Sequence, residues 1–172
     1  MVKSFRSFSC TITFEQNYDG VEGDSASVAE LMAILSSLSG VPLRQDIAIT
    51  GSMNQMGKTQ PIGGVNDKVE GFYYTCRRQG LTGTQGVIIP KTNVMDLVLL
   101  PEISQAVKEG KFHIWAIDDV FEAIEILTGF KSGHTTFSTN KVADTIFGKA
   151  YQKLELFDKE LQKRFLDTAV DA

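Results

Sequence analysis

Cysteine, histidine and proline are scarce in this 172-residue chain, at two, two and four residues. Two cysteines, Cys10 and Cys76, cannot build a disulfide framework, and no CxxC pair offers zinc ligands. A reducing, cytoplasmic setting is the expectation. Charge of one sign is also missing. Lysine and arginine number 17 against 21 acidic residues, for a net charge of -4. Without a basic field, nucleic acid is a poor expected partner. No apolar run approaches the ~18 residues of a membrane span, so no membrane partner is expected. Met1 to Ser7 lacks the apolar segment of a signal peptide. Internal repeats and low-complexity stretches are absent as well. What remains is 42% hydrophobic and 22% charged, a globular balance that excludes wholesale disorder.

Periodicity and turn residues predict alternating strands and helices. Ser7 to Phe14 alternates and predicts a strand. Ser25 to Leu38 predicts a buried helix ended by Gly40 and Pro42, and Asp46 to Thr50 a short strand. Met53 to Thr59, with Asn54 and Gly57, predicts a hairpin tip. A tight loop, Pro61 to Gly64, leads to a helix capped by Asn66 and stopped by Gly80. Val87 to Pro90 is too apolar to alternate, as in a central parallel strand. Short helices are predicted over Val94 to Leu100 and Glu102 to Glu109, split by Pro101. A strand over Lys111 to Ile117 and a helix over Asp119 to Thr128, capped by Asp118, complete the pattern. The fold class is therefore α/β with a mixed, partly parallel sheet and one hairpin. The expected domain is 1–129. Residues 130–172 read as a linker, Lys131 to Thr136, and a C-terminal amphipathic helix, Ala150 to Thr168. Its stripe of Leu154, Phe157, Leu161 and Phe165 predicts docking on its own domain, with partner binding as the alternative.

Gly51 to Thr59 imitates a phosphate-binding loop but has five residues between its glycines, where the motif has four. A turn, Gln60 to Gly63, also follows where a helix is needed. A hairpin is the better reading. Cys10, Cys76, His113 and His134 show no metal-ligand spacing, so no metal is expected. His113 reads as a structural histidine within a strand, and His134 falls in the linker, a poor place to fix catalytic geometry.

A richer signal is Gly23-Asp24-Ser25-Ala26-Ser27 between a glycine-bearing loop and a helix start. Capping alone explains much of it. Ser27 to Glu30 fits a capping box, and Asp24 can itself cap. A helix start also offers free amides to a developing oxyanion, and Ser25 stands just outside the box. With histidine discounted, a serine nucleophile needs another base, such as a neutral lysine. Lys68 lies in the first turn of a helix, where the dipole disfavours a cation. Expected burial beside Ile62, Val65 and Val69 favours the neutral amine further. A solvated surface lysine is the plain alternative.

Together the segments are more specific. Gly23-Asp24-Ser25-Ala26-Ser27, followed 43 residues after Ser25 by Lys68 in Pro61-Ile62-Gly63-Gly64-Val65-Asn66-Asp67-Lys68, resembles the proteolytic domain of bacterial Lon-type ATP-dependent proteases. Gly40-Val41-Pro42, Ile47 to Gly51, the hairpin, Val87 to Pro90 and Ile117 to Ile124 extend the resemblance, from about Phe8 to Gly129. It implies a serine endopeptidase acting on unfolded proteins through a Ser25–Lys68 dyad. By position Thr50 would orient the lysine, and backbone amides near Asp24 and Ser25 would form the oxyanion hole. It also implies a hexameric ring and an AAA+ ATPase module that supplies ATP and magnesium chemistry. No Walker motif occurs in these residues, so this chain is expected to be a fragment or a stand-alone relative and to bind no cofactor itself. Many Lon proteases carry proline before the nucleophile and glycine two residues after it. Asp24 and Ser27 stand here, and Asp24 is expected to point away from the site or to cap the helix. The alternatives are an inactive assembly module with the same fold and a small-molecule amidase or esterase.

Overall fold

A computed structural model describes residues 9–14, 23–133 and 143–170, with side chains as far as residue 163. The elements run α1 (Ser27–Ser39), β1 (Ile47–Ile49), β2 (Ser52–Met53), β3 (Thr59–Gln60), α2 (Val65–Gln79), β4 (Gly86–Pro90), a 3-10 segment (Lys91–Asp96), α3 (Pro101–Lys108), β5 (His113–Ile117), α4 (Val120–Thr128) and α5 (Ile146–Val170). The main sheet is parallel with order β1-β4-β5, and β2 and β3 form a separate antiparallel hairpin. The α/β class is the observed one, with the parallel pairs in the main sheet and the antiparallel pair in the hairpin.

β4 explains the layering. All five of its residues are buried because helices cover both faces of the sheet. Ile88 joins one core with Val28, Met32 and Leu35 of α1, Ala123, Ile124 and Leu127 of α4, and Ile146 and Ala150 of α5. Val87 and Ile89 join the other, with Val65, Val69, Tyr73 and Cys76 of α2, Ile103 and Ala106 of α3, and Phe112. The alternation of the strand thus feeds two apolar layers. Gly86 begins β4 where a Cβ would collide with the His113 carbonyl oxygen and the Trp115 ring.

The hairpin closes through Asn54. Its side-chain oxygen accepts from the amides of Met56 and Lys58, at 2.9 and 3.0 Å. The Gly51 to Thr59 run is accordingly a hairpin and its turn, with no phosphate-cradling helix start. Thr59 ties it to the end of β5, donating to the carbonyls of Asp118 and Ile117.

Several expectations need correction. Residues 9–14 form no strand. Among the described residues they pair with none, and they run past Ser27, Glu30, Leu31 and Ile34 of α1. Ser7 and Phe8 lie outside the described residues, as do residues 18–22 and 134–136, which include His134. α1 starts at Ser27, two residues later than expected. α4 is capped by Asp119, which accepts from the amides of Phe121 and Glu122. Asp118 instead pairs with Lys91. No α-helix spans Val94 to Leu100. The 3-10 segment ends at Asp96 and the chain is extended at Leu97, while Leu100 is kept out of the helical region by Pro101, which restricts the residue before it. α5 begins four residues early, at Ile146, and packs on α1. Beyond that contact Phe157 and Leu161 of its stripe are exposed. Phe165 lies outside the described side chains.

Candidate active site

Ser25 ends the turn that leads into α1. The turn is held from both sides by the chain leaving β1. The Gly51 amide donates to the Ser25 carbonyl at 2.8 Å, and the Val28 amide donates to the Gly51 carbonyl at 3.1 Å. This crossing is tight, since a Cβ on Gly51 would sit 3.2 Å from Val28. Ser25 is half-buried, with its hydroxyl toward an open cleft of about 490 Å³.

The opposite wall is α2. Gly64 opens the helix at φ 65°, a left-handed conformation that glycine adopts without strain. The Lys68 amide donates to the Gly64 carbonyl at 3.1 Å, one turn into the helix. Val65 and Val69 bury the other face of that turn. Lys68 is thereby turned out to the cleft, where its Nζ lies 2.9 Å from Ser25 Oγ. At this distance an ammonium donates to the hydroxyl, and a neutral amine accepts from it. The remaining walls are Ala26, Ala48, Ile49, Thr50, Asp67, Gly71, Phe72, Thr75 and Val87. Most of that lining is apolar, and β1, an edge strand among the described residues, runs along it.

The structure therefore brings Ser25, Lys68 and Thr50 to one cleft, though not with every expected contact. Ile62, Val65 and Val69 are buried as expected, but Lys68 itself is exposed. The buried Thr50 hydroxyl donates to the Ser25 carbonyl at 3.2 Å rather than reaching the lysine. Asp24 caps nothing. Its carboxylate accepts from the buried Ser52 hydroxyl at 2.6 Å, which ties the serine turn to the hairpin. The capping box does not form either. Ser27 is already helical, and its hydroxyl turns back to donate to the Asp24 carbonyl at 2.6 Å. The amides of Ser25 and Ala26 make no hydrogen bond within the described residues.

Asn66 is the second residue of α2, not its cap. Its side chain reaches across to the 3-10 segment, accepting from the Val98 amide at 2.8 Å and donating to the Asp96 carbonyl at 3.2 Å. Two polar residues escaped the sequence reading: Ser52 and the buried Asn93. Neither lies in a pattern, and an asparagine after a strand reads as an ordinary turn residue. His113 is half-buried, bonded to the Gly83 carbonyl at 2.8 Å and stacked on Trp115. Among the described residues no group of three or more histidine, cysteine and acidic side chains is placed to hold a metal.

Residues 14–128 match the Lon protease (S16) C-terminal proteolytic domain family. The chain belongs to that family. A Lon protease homolog of Escherichia coli strain K12 is 57% identical over 120 residues, which cover 70% of this chain and 20% of that protein. A Lon protease homolog of Haemophilus influenzae is 49% identical over 122 residues, 71% of this chain and 20% of that protein. The archaeal Lon protease of Thermococcus kodakarensis is 38% identical over 115 residues, 67% and 16% respectively. This Lon proteolytic domain thus spans about a fifth of the length of the curated relatives it matches. No helix among its described residues is long and apolar enough to cross a membrane.

Proposed function

We propose that this domain is a serine endopeptidase in which Ser25 is the nucleophile and Lys68 its general base. The observation that carries the reading is the 2.9 Å contact between Ser25 Oγ and Lys68 Nζ in an open, largely apolar cleft. In its neutral form Lys68 accepts the Ser25 proton as Oγ attacks a peptide carbonyl. The tetrahedral oxyanion is held by amides of the Asp24–Ala26 turn, which have no partner among the described residues. Lys68 then gives the proton to the departing amine, leaving an acyl-Ser25 ester. Water, deprotonated by Lys68, hydrolyses the ester and restores the hydroxyl. Thr50 has unused acceptor capacity in the same cleft, and we assign it the orientation of the lysine amine as well as the hold on Ser25.

An unfolded polypeptide suits this cleft because edge strand β1 offers backbone partners to an extended chain. The described residues do not fit ATP, since the one glycine-rich lysine run is a hairpin turn. ATP-driven unfolding accordingly falls to an AAA+ module of a longer protein, working in a hexameric ring in the cytoplasm.

The test is digestion of casein at high protein concentration without ATP, comparing the parent chain with Ser25→Ala and Lys68→Met. Loss of cleavage in both variants is expected. Cleavage that survives Ser25→Ala overturns the assignment. Turnover of small esters with casein left intact favours an amidase or esterase. A chain that neither cleaves casein nor is phosphonylated at Ser25 by a fluorophosphonate is an assembly module.

A further inference from the structure

We propose that Asn93 is a positioning residue for Lys68, a proposal that rests on the Ser25–Lys68 reading. Asn93 is buried, at 2% exposure, in the 3-10 segment after β4. Its side-chain amide pairs with both backbone groups of one residue, Ile62, 31 positions away. The Ile62 amide donates to Asn93 Oδ1 at 2.9 Å, and Asn93 Nδ2 donates to the Ile62 carbonyl at 2.9 Å. Donor must face acceptor, so this pairing admits only one orientation of the amide. Asp96 Oδ2 lies 3.4 Å from the same Nδ2 and gives it a second acceptor.

Ile62 sits two residues before Gly64, whose left-handed backbone aims α2 and whose carbonyl receives the Lys68 amide. The chain from Gln60 to Gly64 has two glycines and no regular structure of its own beyond β3. Its path is set by what it is tied to. Asn93 ties it to the end of the central strand β4, and Asn66 ties the first turn of α2 to Asp96 of the 3-10 segment and to Val98 just beyond it. Ser25 is fixed separately, by Gly51 and Thr50 at the end of β1. β1 and β4 are paired neighbours. The two halves of the dyad therefore share one rigid base, and Asn93 is the link between that base and the lysine half. A displacement of about 1 Å at a reacting group can cost about a hundredfold in rate.

The experiment uses the full chain and measures Ser25 phosphonylation by a fluorophosphonate, in which Oγ bonds to phosphorus and fluoride leaves, as a function of reagent concentration. Asn93→Ala and Asn93→Ser are compared with Ile103→Val and Ile103→Ala. These controls loosen the same core away from the loop, and the control closest in melting temperature is used. Asn93→Ser, the milder change, carries the test if Asn93→Ala does not fold. The maximal phosphonylation rate is expected to fall about tenfold or more in the Asn93 variants. The half-saturating concentration stays within about twofold, and hydrogen exchange accelerates over residues 61–69. The matched control keeps its rate within about twofold. Equal rate losses in Asn93 variant and control, or an unchanged rate in Asn93→Ser, overturn the proposal and leave the dyad standing. Full phosphonylation in Lys68→Met removes the dyad itself, and the proposal with it.

Discussion

Thr50 and Ser25 are joined through the backbone of the serine: the threonine hydroxyl donates to the Ser25 carbonyl oxygen at 3.2 Å. That oxygen also accepts from the Gly51 amide, so one short loop leaving β1 holds it twice. Thr50→Val keeps the shape and removes one of the two donors. A stability loss of about 1 kcal/mol is expected, because the carbonyl keeps its other partner. Peptide cleavage should fall about tenfold or more, while Thr50→Ser stays near the parent. Urea denaturation and a fluorogenic peptide check the two halves. Equal activity in Thr50→Val and the parent removes Thr50 from the site.

Gly86 is required by space. A methyl group there meets the His113 carbonyl and the Trp115 ring, both fixed by pairing of β4 with β5. Gly86→Ala should cost about 3 kcal/mol or more, because backbone and a packed ring cannot give way cheaply. A denaturation midpoint close to that of the parent would contradict this strand pairing.

Acid should weaken one fork near the start of β1. Arg44 donates to Asp46 through Nε at 2.9 Å and through the terminal nitrogen at 2.6 Å. These guanidinium bonds, chiefly, hold the Asp46 carboxyl at about 2, below its ordinary 3.8. The unfolded chain takes up this proton first, so the stabilisation is present above about pH 4 and is lost as pH falls toward 2. Asp46 is about a third exposed, at 32%, so the effect stays below about 1 kcal/mol. The stability difference between the parent and Asp46→Asn, followed by urea midpoints from pH 5 to 2, should shrink across that window. A difference independent of pH would remove the fork from the balance.

The two thiols should react on different schedules. Burial pushes the Cys76 thiol up, whereas Cys10 is exposed. Under native conditions iodoacetamide should modify Cys10 first and reach Cys76 only as the domain opens. Mass spectrometry of partly alkylated protein reads the order. Equal native labelling would contradict the packing of α2 on β4.

Elements whose signals are local were legible in the sequence. Val87 to Pro90 shows its double burial in its composition, and Gly40, Gly80 and Gly129 mark the ends of α1, α2 and α4 as expected. Asn54 and Gly57 gave away the hairpin. The pairing of Ser25 with Lys68 rested on spacing and resemblance, because they lie 43 positions apart in the chain and only the fold can bring them to 2.9 Å. Side chains recruited by distant backbone were not legible. Asn66 looks like a helix cap until residues 96–98 compete for its amide, and Asn93 looks like a turn residue until Ile62 needs two partners. Ser27 and Glu30 likewise fit a capping box locally and Asp24 a cap, but the hairpin hydroxyl of Ser52 draws Asp24 away. The extended stretch before Pro101 went unread for a related reason, since its Val98 amide is taken by Asn66.

The segment shared with relatives and the packed core do not end at the same residue. The family match stops at residue 128, while Ile146 and Ala150 of α5 fill the same apolar layer as Val28 and Met32 of α1. α1 is the helix that grows out of the Ser25 turn. Cutting the chain after Gly129 would therefore leave sequence similarity untouched yet strip the cover from the helix that carries the nucleophile. For this domain, the boundary that matters to an experimentalist choosing where to truncate is set by oil and water, well beyond the last recognisable motif.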